Sequence, residues 1–361
     1  MIWEGAVHIL NKYEAGLVSP VYPVWEVKPD KAYAWFIDPL LRMPNTISAY
    51  NRFASGAVNR RRAIRKNDFL SIPIPLPPLL EQRAIAHVLR TVQEAKQATE
   101  RVIAALRDLK KSLMRHLFTY GPVSIGEQHT VPLQETEIGP IPAHWRVVRL
   151  GELVAKGILW MKNGFPQGKH NRTASGVPHL RPFNITDTGD ITLSQVKYVP
   201  PPPEDSPYRV FPGDVIFNNT NSEELVGKTA YFDRNGTFVI SNHMTLIRVL
   251  SGEVNPYWLS KYLHWLWSKG VFRNLCRRHV NQASVSLERL KQVTLPLPPL
   301  PEQRAIAHVL RTVDRRIAAE EAYARALGDL FKSLLQELMT GRRRVKVAAE
   351  EVTQSSPGGS S

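Results

Sequence analysis

The chain has 361 residues, 43% of them hydrophobic, and sets 47 Lys and Arg against 32 Asp and Glu, a net charge of +15. No apolar run approaches the ~18 residues that a membrane helix needs, and a single cysteine, Cys276, rules out a disulfide framework and suits a reducing cytosol. The charge points to a polyanionic partner, most simply nucleic acid, with a generally basic, solvated surface as the bland alternative.

Residues 1–72 read as part of a globular domain. No signal peptide precedes Trp3 and Glu4. Leu17 to Val27 has the apolar and aromatic density of strands, and Tyr33 to Leu41 reads as a helix. Arg52 to Lys66 is strongly basic, with Arg60, Arg61, Arg62, Arg65 and Lys66.

Residues 73–120 form a first helical region. Ile72 to Leu76 is extended, since its prolines cannot donate ladder hydrogen bonds. The following Pro77-Pro78 step forbids helix before it. A proline-rich docking ligand is the alternative, disfavoured because the segment runs straight into a periodic helix. Ile85, Val88, Val92, Ala95, Thr99, Val102, Leu106, Leu109 and Leu113 recur in steps of three and four. This is a coiled-coil seam along a helix of about 38 residues, roughly 57 Å. Gly121-Pro122 ends it.

Residues 121–137 are a polar linker, and residues 138–294 a second globular domain. The domain opens with Ile138 to Trp145 and contains a Gly-bounded loop from Lys162 to Arg172. Asp214 sits in a turn before the strand-like Val215-Ile216-Phe217. Thr237 to Val249 reads as strands. An aromatic helix follows around Trp258, Tyr262, Trp265 and Trp267, whose helical spacing favours core over a base-stacking platform. Residues 295–341 form the second helical region, closed by Gly341, and 342–361 a disordered basic and Ser/Gly tail.

The two helical regions are copies. Pro75 to Val92 returns 221 residues later as Pro296 to Val313, with Leu80 against Pro301 as the single difference. The second seam carries Ile306, Val309 and Val313 at its start and Tyr323, Leu327, Leu330 and Leu334 at its end, with Arg316 and Glu320 between. Two copies are too few for a solenoid and describe a duplicated half-molecule. Neither long helix can bury its stripe on a small domain, so each is expected to pair with the other. Helix pairing is assigned to Ile85, Val88, Val92, Leu106 and Leu113, and to Ile306, Val309, Val313, Leu327 and Leu334. Val18-Ser19 aligns with Ile240-Ser241, and Val58-Asn59 with Val280-Asn281. The first domain is therefore expected to begin mid-domain, lacking about 85 residues that the second one has.

Motifs for catalysis are missing. There is no Asn-Pro-Pro-Tyr or Asp-Pro-Pro-Tyr loop, no His-Glu-x-x-His or zinc-like spacing, and no Glu-x-Lys after Asp214 or Glu224. Val226-Gly227-Lys228-Thr229 matches the end of a phosphate loop, but Ser222 stands where its first glycine belongs. Base readout uses Arg or Lys on guanine and Asn or Gln on adenine. The ranked candidates are Lys162, Lys169, His170, Asn171 and Arg172; Arg277, Arg278, His279, Asn281 and Gln282; and, in the first domain, Asn59, Arg60, Arg61 and Arg62. For each the alternative is a solvated or phosphate-contacting side chain. Asn218, Asn219 and Asn221 suit adenine readout or plain turn chemistry.

The two Pro-Leu-Pro-Pro-Leu-x-Glu-Gln-Arg stretches, the Ile138 to Trp145 opening and Gly213 to Asn218 resemble the specificity subunits of type I restriction-modification systems. Trp3 to Val7 and Gly16 to Pro20 resemble the later part of a first recognition domain. The resemblance implies an α+β fold with two target recognition domains, the first partial, separated by two conserved helices pairing as an antiparallel coiled coil. It implies a cytoplasmic, non-catalytic subunit that binds a split double-stranded DNA target and directs methyltransferase and restriction subunits there. S-adenosylmethionine, ATP and Mg2+ would belong to those partners, with no cofactor or metal in this chain. Self-association of two chains is a further expectation. A stand-alone DNA-binding or coiled-coil protein without enzyme partners is the alternative reading.

Overall fold

The computed structural model describes residues 7–10, 14–20, 22–54, 63–165, 170, 175–280 and 282–345. They fall into two compact units, one drawn from residues 1–105 and 317–361, the other from residues 106–316.

The first unit holds α1 (Ala34–Leu41), α2 (Pro44–Phe53), α3 (Lys66–Leu70) and the start of α4 (Leu79–Tyr120). Pro44 occupies the first turn of α2, where its missing N–H costs nothing. Phe36, Leu40, Met43, Ile85, Ala86, Leu89, Leu338 and Met339 make its apolar core. Leu17 to Val27, expected as strands, forms none among its described residues, and Leu17, Val18, Tyr22 and Val24 are exposed. The aligned strands of the second unit are inner strands with neighbours on both sides. The first unit's described residues offer no such neighbours, so the apolar pattern alone forms no ladder.

The second unit is built on strands. It contains β1 (Leu133–Gln134), β2 (Ile141–Pro142), β3 (Arg146–Arg149), α5 (Leu150–Ala155), β4 (Leu159–Asn163), β5 (Val177–Leu180), β6 (Lys197–Val199) and β7 (Arg209–Val210). Then come β8 (Val215–Asn218), β9 (Thr220–Asn221), β10 (Thr229–Tyr231), β11 (Phe238–Ile240), β12 (Met244–Val249), α6 (Pro256–Ser268) and α7 (Val271–Leu275). Last are β13 (Arg277–Arg278), β14 (Ala283–Ser284), α8 (Leu287–Lys291), β15 (Thr294–Leu297) and the start of α9 (Leu300–Met339). Two four-stranded sheets run β10-β8-β12-β4 and β6-β5-β11-β7, and a three-stranded one β13-β14-β9. Pairings are antiparallel except β11 with β5. Every residue of β8 is buried, as befits an inner strand with both faces covered. Proline-bearing β15 pairs only with β3, an edge where the missing donor costs little. Of the α6 aromatics, Trp258 and Tyr262 are buried in the core and stack at 5.7 Å, while Trp265 and Trp267 are half-buried against it.

In α4 the seam is shifted from the expected one. Ile85, Leu89, Val92, Lys96, Thr99, Ile103, Leu106, Lys110, Leu113 and Leu117 are its inward positions, while Val102 and Leu109 are exposed. Inward α9 positions lie 221 residues later, at Ile306, Leu310, Val313, Ile317, Glu320, Ala324, Leu327, Phe331, Leu334 and Leu338; Tyr323 and Leu330 are exposed. Of the pairing residues read from sequence, Ile85, Val92, Leu106, Leu113, Ile306, Val313, Leu327 and Leu334 hold these positions. Val88 and Val309 flank them, packed on the adjoining cores. The reason is chemical. Lys96 and Lys110 lie inward, so hydrophobicity alone selects the neighbouring Ala95 and Leu109. In each unit the helices run antiparallel. The Lys110 ammonium lies 2.6 Å from Asp314 in one, and Lys96 lies beside Gly328 in the other; both pairs of numbers add to 424. Gly121 at φ +84° and Gly341 at φ +71° end the two helices, as expected.

Each unit fastens its helix start by the same device. The Gln82 carboxamide accepts from the Tyr33 N–H (2.8 Å) and donates to the Pro77 and Lys31 carbonyls (2.7 and 3.2 Å). Gln303 accepts from the Asn255 N–H (2.8 Å) and donates to the Pro298 and Glu253 carbonyls (2.8 and 3.1 Å). Glu302 accepts from Trp145 Nε1 at 2.9 Å and contacts His144 at 2.6 Å. Its counterpart Glu81 is gripped by both Arg344 nitrogens at 2.9 and 3.2 Å, which holds its carboxyl below the usual range. The tail is thus anchored at its start, and residues 346–361 lie outside the described ones.

Candidate nucleic-acid interface

The β13–β14 hairpin carries exposed basic side chains of the second unit. Left-handed Gly270 (φ +75°) turns the chain from α6 into α7. Phe272 on α7 packs edge-on against Phe217 of β8, 4.9 Å between ring centres. Buried Ala283 and Val285 hold the other arm, and β14 pairs with β9. The hairpin closes with His279 N–H donating to the Gln282 carbonyl at 2.8 Å. Arg277, Arg278, His279 and Gln282 are therefore exposed on a fixed base. Glu223 takes Arg278 at 3.0 Å and Arg273 at 3.9 Å. Arg277 makes no ion pair among the described residues.

The other predicted contacts divide. Lys162 lies on β4 rather than in a loop, half-buried, with its ammonium 4.4 Å from the centre of the Tyr208 ring. The strand ladder with Leu246 places it there. His170 touches Nδ1 of His179 through its own Nε2 at 2.9 Å. Burial, then Lys197 and Arg181, holds His170 below its ordinary value. Burial, then His170 and Arg181, brings His179 down to about 4. Both rings are thus neutral near pH 7. Lys169, Asn171, Arg172, Asn281, Asn59, Arg60, Arg61 and Arg62 lie outside the described residues. Arg65 pairs with Asp68 at 2.8 Å, and the Lys66 ammonium lies 5.6 Å from the Trp25 ring centre.

The asparagines after β8 are scaffold. Asn219 donates to Thr245 Oγ1 (3.0 Å), Asn163 Oδ1 (3.3 Å) and the Asn242 carbonyl (3.3 Å). Asn218 donates to the Leu225 carbonyl at 2.8 Å, and Asn221 accepts from the Ser222 N–H at 2.9 Å. Buried Asp214 holds Arg248 through two 2.7 Å bonds. The asparagines fix β9, and through its pairing with β14 the hairpin. Glu223 and Tyr208, which tune the candidate cations, carry no sequence signal. Gln82 and Gln303 did, in the Glu-Gln-Arg common to both repeats. No three His, Cys, Asp or Glu of the described residues group to hold a metal, and no described helix is long and apolar enough to cross a membrane. The arrangement offers cations and amides to a polyanion.

A family model described as the type I restriction modification DNA specificity domain matches residues 142–327, just over half of the chain. A putative type I restriction enzyme MjaX specificity subunit from Methanocaldococcus jannaschii is 31% identical over 210 residues, 57% of this chain and 48% of that protein. The MjaVIII specificity subunit of the same organism is 27% identical over 307 residues, 78% of this chain and 65% of that one. The chain thus spans between about half and two thirds of the length of these curated relatives. In fold it is similar to the type I restriction-modification S subunit from M. genitalium, with a TM-score of 0.57 over 86% of this chain and 74% of that one, at 15% identity. Duplicated helix starts, an antiparallel helix pair and a strand-built head bearing a basic hairpin accompany this match: the chain belongs to the type I restriction modification DNA specificity family.

Proposed function

We propose that the chain is a non-catalytic DNA-binding specificity subunit, cytoplasmic, that directs methyltransferase and restriction subunits to a double-stranded target. The second recognition domain, within residues 138–294, reads DNA through the Arg277–Gln282 hairpin and the loop after β4. Arg277 carries this reading: an exposed cation on a hairpin whose base is locked by buried asparagines and aromatics. Lys169, Asn171, Arg172 and Asn281, named from sequence, are further proposed DNA contacts. The first domain, through Asn59, Arg60, Arg61 and Arg62, adds phosphate attraction or a second readout. The helix pair spaces the heads. At 42 residues α4 is roughly 63 Å long, more than one ~34 Å turn of duplex. S-adenosylmethionine, ATP and Mg2+ belong to the partner subunits.

Partner docking is supported by the exposed apolar side chains of the long helices. Val102 and Leu109 on α4 and Tyr323 and Leu330 on α9 occupy equivalent positions, one heptad apart in each copy. Two like faces suit two copies of one helical partner. The test is selection from random duplex DNA by the purified chain, with and without methyltransferase subunits, followed by mapping of methylated sites. Enrichment of a defined motif supports the reading. Salt-sensitive binding without any motif leaves a basic coiled-coil protein instead.

A further inference from the structure

A charged cluster is buried where the second recognition domain meets α4 and α9. Lys110 and Lys261 are only 7% and 2% exposed. The Asp314 carboxylate sits between them, 2.6 Å from Lys110 Nζ and 2.8 Å from Lys261 Nζ. The Tyr257 hydroxyl donates to the same carboxylate at 2.5 Å. The segment Thr186–Asp190 closes the cluster. Lys110 donates to the Thr188 carbonyl at 3.3 Å, Lys261 lies 3.5 Å from Asp190, and Lys228 pairs with Asp187. Gly189, at φ +76°, passes so near His264 that a Cβ there would lie 2.8 Å from its ring.

The equivalent seat in the first unit carries no charge. Gln93 stands for Asp314, Phe331 for Lys110, Pro39 for Lys261 and Trp35 for Tyr257. The surroundings are otherwise alike: Arg90 lies 4.4 Å from the Trp35 ring centre, and Arg311 4.4 Å from that of Tyr257. Asp314 is the first residue after the near-identical stretch ends.

This difference decides which helix pairs with which. Both helices carry the same seam pattern, so α4 with a second α4, or α9 with a second α9, competes with α4 against α9. In an α4–α4 pair of the same register Lys110 faces Gln93; in an α9–α9 pair Asp314 faces Phe331. An α4–α4 pair buries Lys110 opposite a group that cannot neutralise it, and an α9–α9 pair leaves Asp314 with Lys261 alone, whereas α4 against α9 brings Lys110 and Asp314 together. An uncompensated buried charge costs far more than the net gain from the pair. We propose that Lys110, Lys261 and Asp314 are positioning residues that select the unlike helix pair and reject like pairing between two copies of the chain. The role stands apart from DNA binding.

The test uses the full chain with Cys276→Ser and Ile103→Cys, a seam position on α4. Oxidation links two chains through residue 103 when α4 pairs with another α4. The parent background is expected to stay single-chain on non-reducing gels. Adding Lys110→Phe, Lys261→Met and Asp314→Gln should preserve cooperative unfolding, because well-packed neutral groups replace buried ion pairs at little loss. That variant should form the cross-linked dimer in at least fivefold greater yield. Equal yields from folded proteins would overturn the proposal. Should the triple variant not fold, the exchange Lys110→Asp with Asp314→Lys, made together with Lys261→Met so that no like charge faces the new lysine, decides: a folded, single-chain product supports the selection, and a like-paired dimer or an unfolded product refutes it.

Discussion

Gln303→Leu isolates the device that fixes the second recognition domain to α9. The side chain is fully buried and its amide satisfies three backbone groups: the Asn255 N–H and the carbonyls of Pro298 and Glu253. Leucine is close in volume and keeps the packing. It leaves the Asn255 N–H without its acceptor and removes one bond from each carbonyl. At roughly 1–3 kcal/mol for a stranded donor and about 1 kcal/mol for each lost bond, the loss is about 3–5 kcal/mol. Gln303→Glu should be no better, since it keeps an acceptor for Asn255 but turns a carboxylate toward two carbonyl oxygens. Gln82→Leu should cost the same in the first unit, where Tyr33, Lys31 and Pro77 are the partners. Urea unfolding followed by tryptophan fluorescence reads both variants. Where the two units unfold in separate transitions, each variant should move only its own. A loss below about 1 kcal/mol for Gln303→Leu would refute the reasoning, because it would mean that the three backbone groups find other partners without penalty.

Arg277→Ala should weaken duplex binding and lower the salt slope by about 0.9, the value for one phosphate contact, or relax one base of the motif if the contact is to guanine; anisotropy titrations at several salt concentrations distinguish the two. Stability should fall on acidification. Burial, then Lys261 and Lys110, holds His264 down to about 3, and His179 lies at about 4. Unfolded histidines near 6.5 bind protons that the native rings refuse, so this stability is complete above pH ~6.5 and is lost as pH falls toward the native values, about 2 kcal/mol per ring by pH 5. His264→Gln should remove about half of that loss in unfolding titrations at pH 7.5 and 5.0. Leu330→Asp, at an exposed site, should leave unfolding unchanged within ~0.5 kcal/mol yet reduce co-purification of methyltransferase subunits; unchanged recovery would place the partner elsewhere.

Much of the fold was legible because it is written twice. The repeat located both long helices, their starts and their ends, and the helical spacing of Trp258 and Tyr262 placed them in the core. The seam was misread by one position in every heptad, since Lys96 and Lys110 look solvated until Asp314 is seen beside Lys110. Leu17 to Val27 was misread for a different reason. A strand's pattern states which face it would bury, but its ladder depends on neighbours that the pattern does not supply. The interface was legible as composition and not as geometry. Basic and amide residues marked Arg277 to Gln282, yet nothing near Glu223 in sequence announces that it takes Arg278 and leaves Arg277 open. Lys162 showed its charge but not Tyr208 beneath it, because that contact spans 46 residues of chain.

The duplication itself explains where the copies agree and where they part. Positions that stay alike in the two copies point away from the seam or fasten the helix starts: Leu109 and Leu330, Gln82 and Gln303. A seam joining two unlike helices has a different requirement. Each of its positions is faced by a residue of the other copy, so what matters is complementarity across the pair. Lys110 differs from its counterpart Phe331, and Asp314 from Gln93, but the two departures meet at 2.6 Å and neutralise each other. Lys110 without Asp314 would be a stranded buried charge. At this junction the asymmetry of the two halves is concerted: the residues that break the internal symmetry here do so in contact.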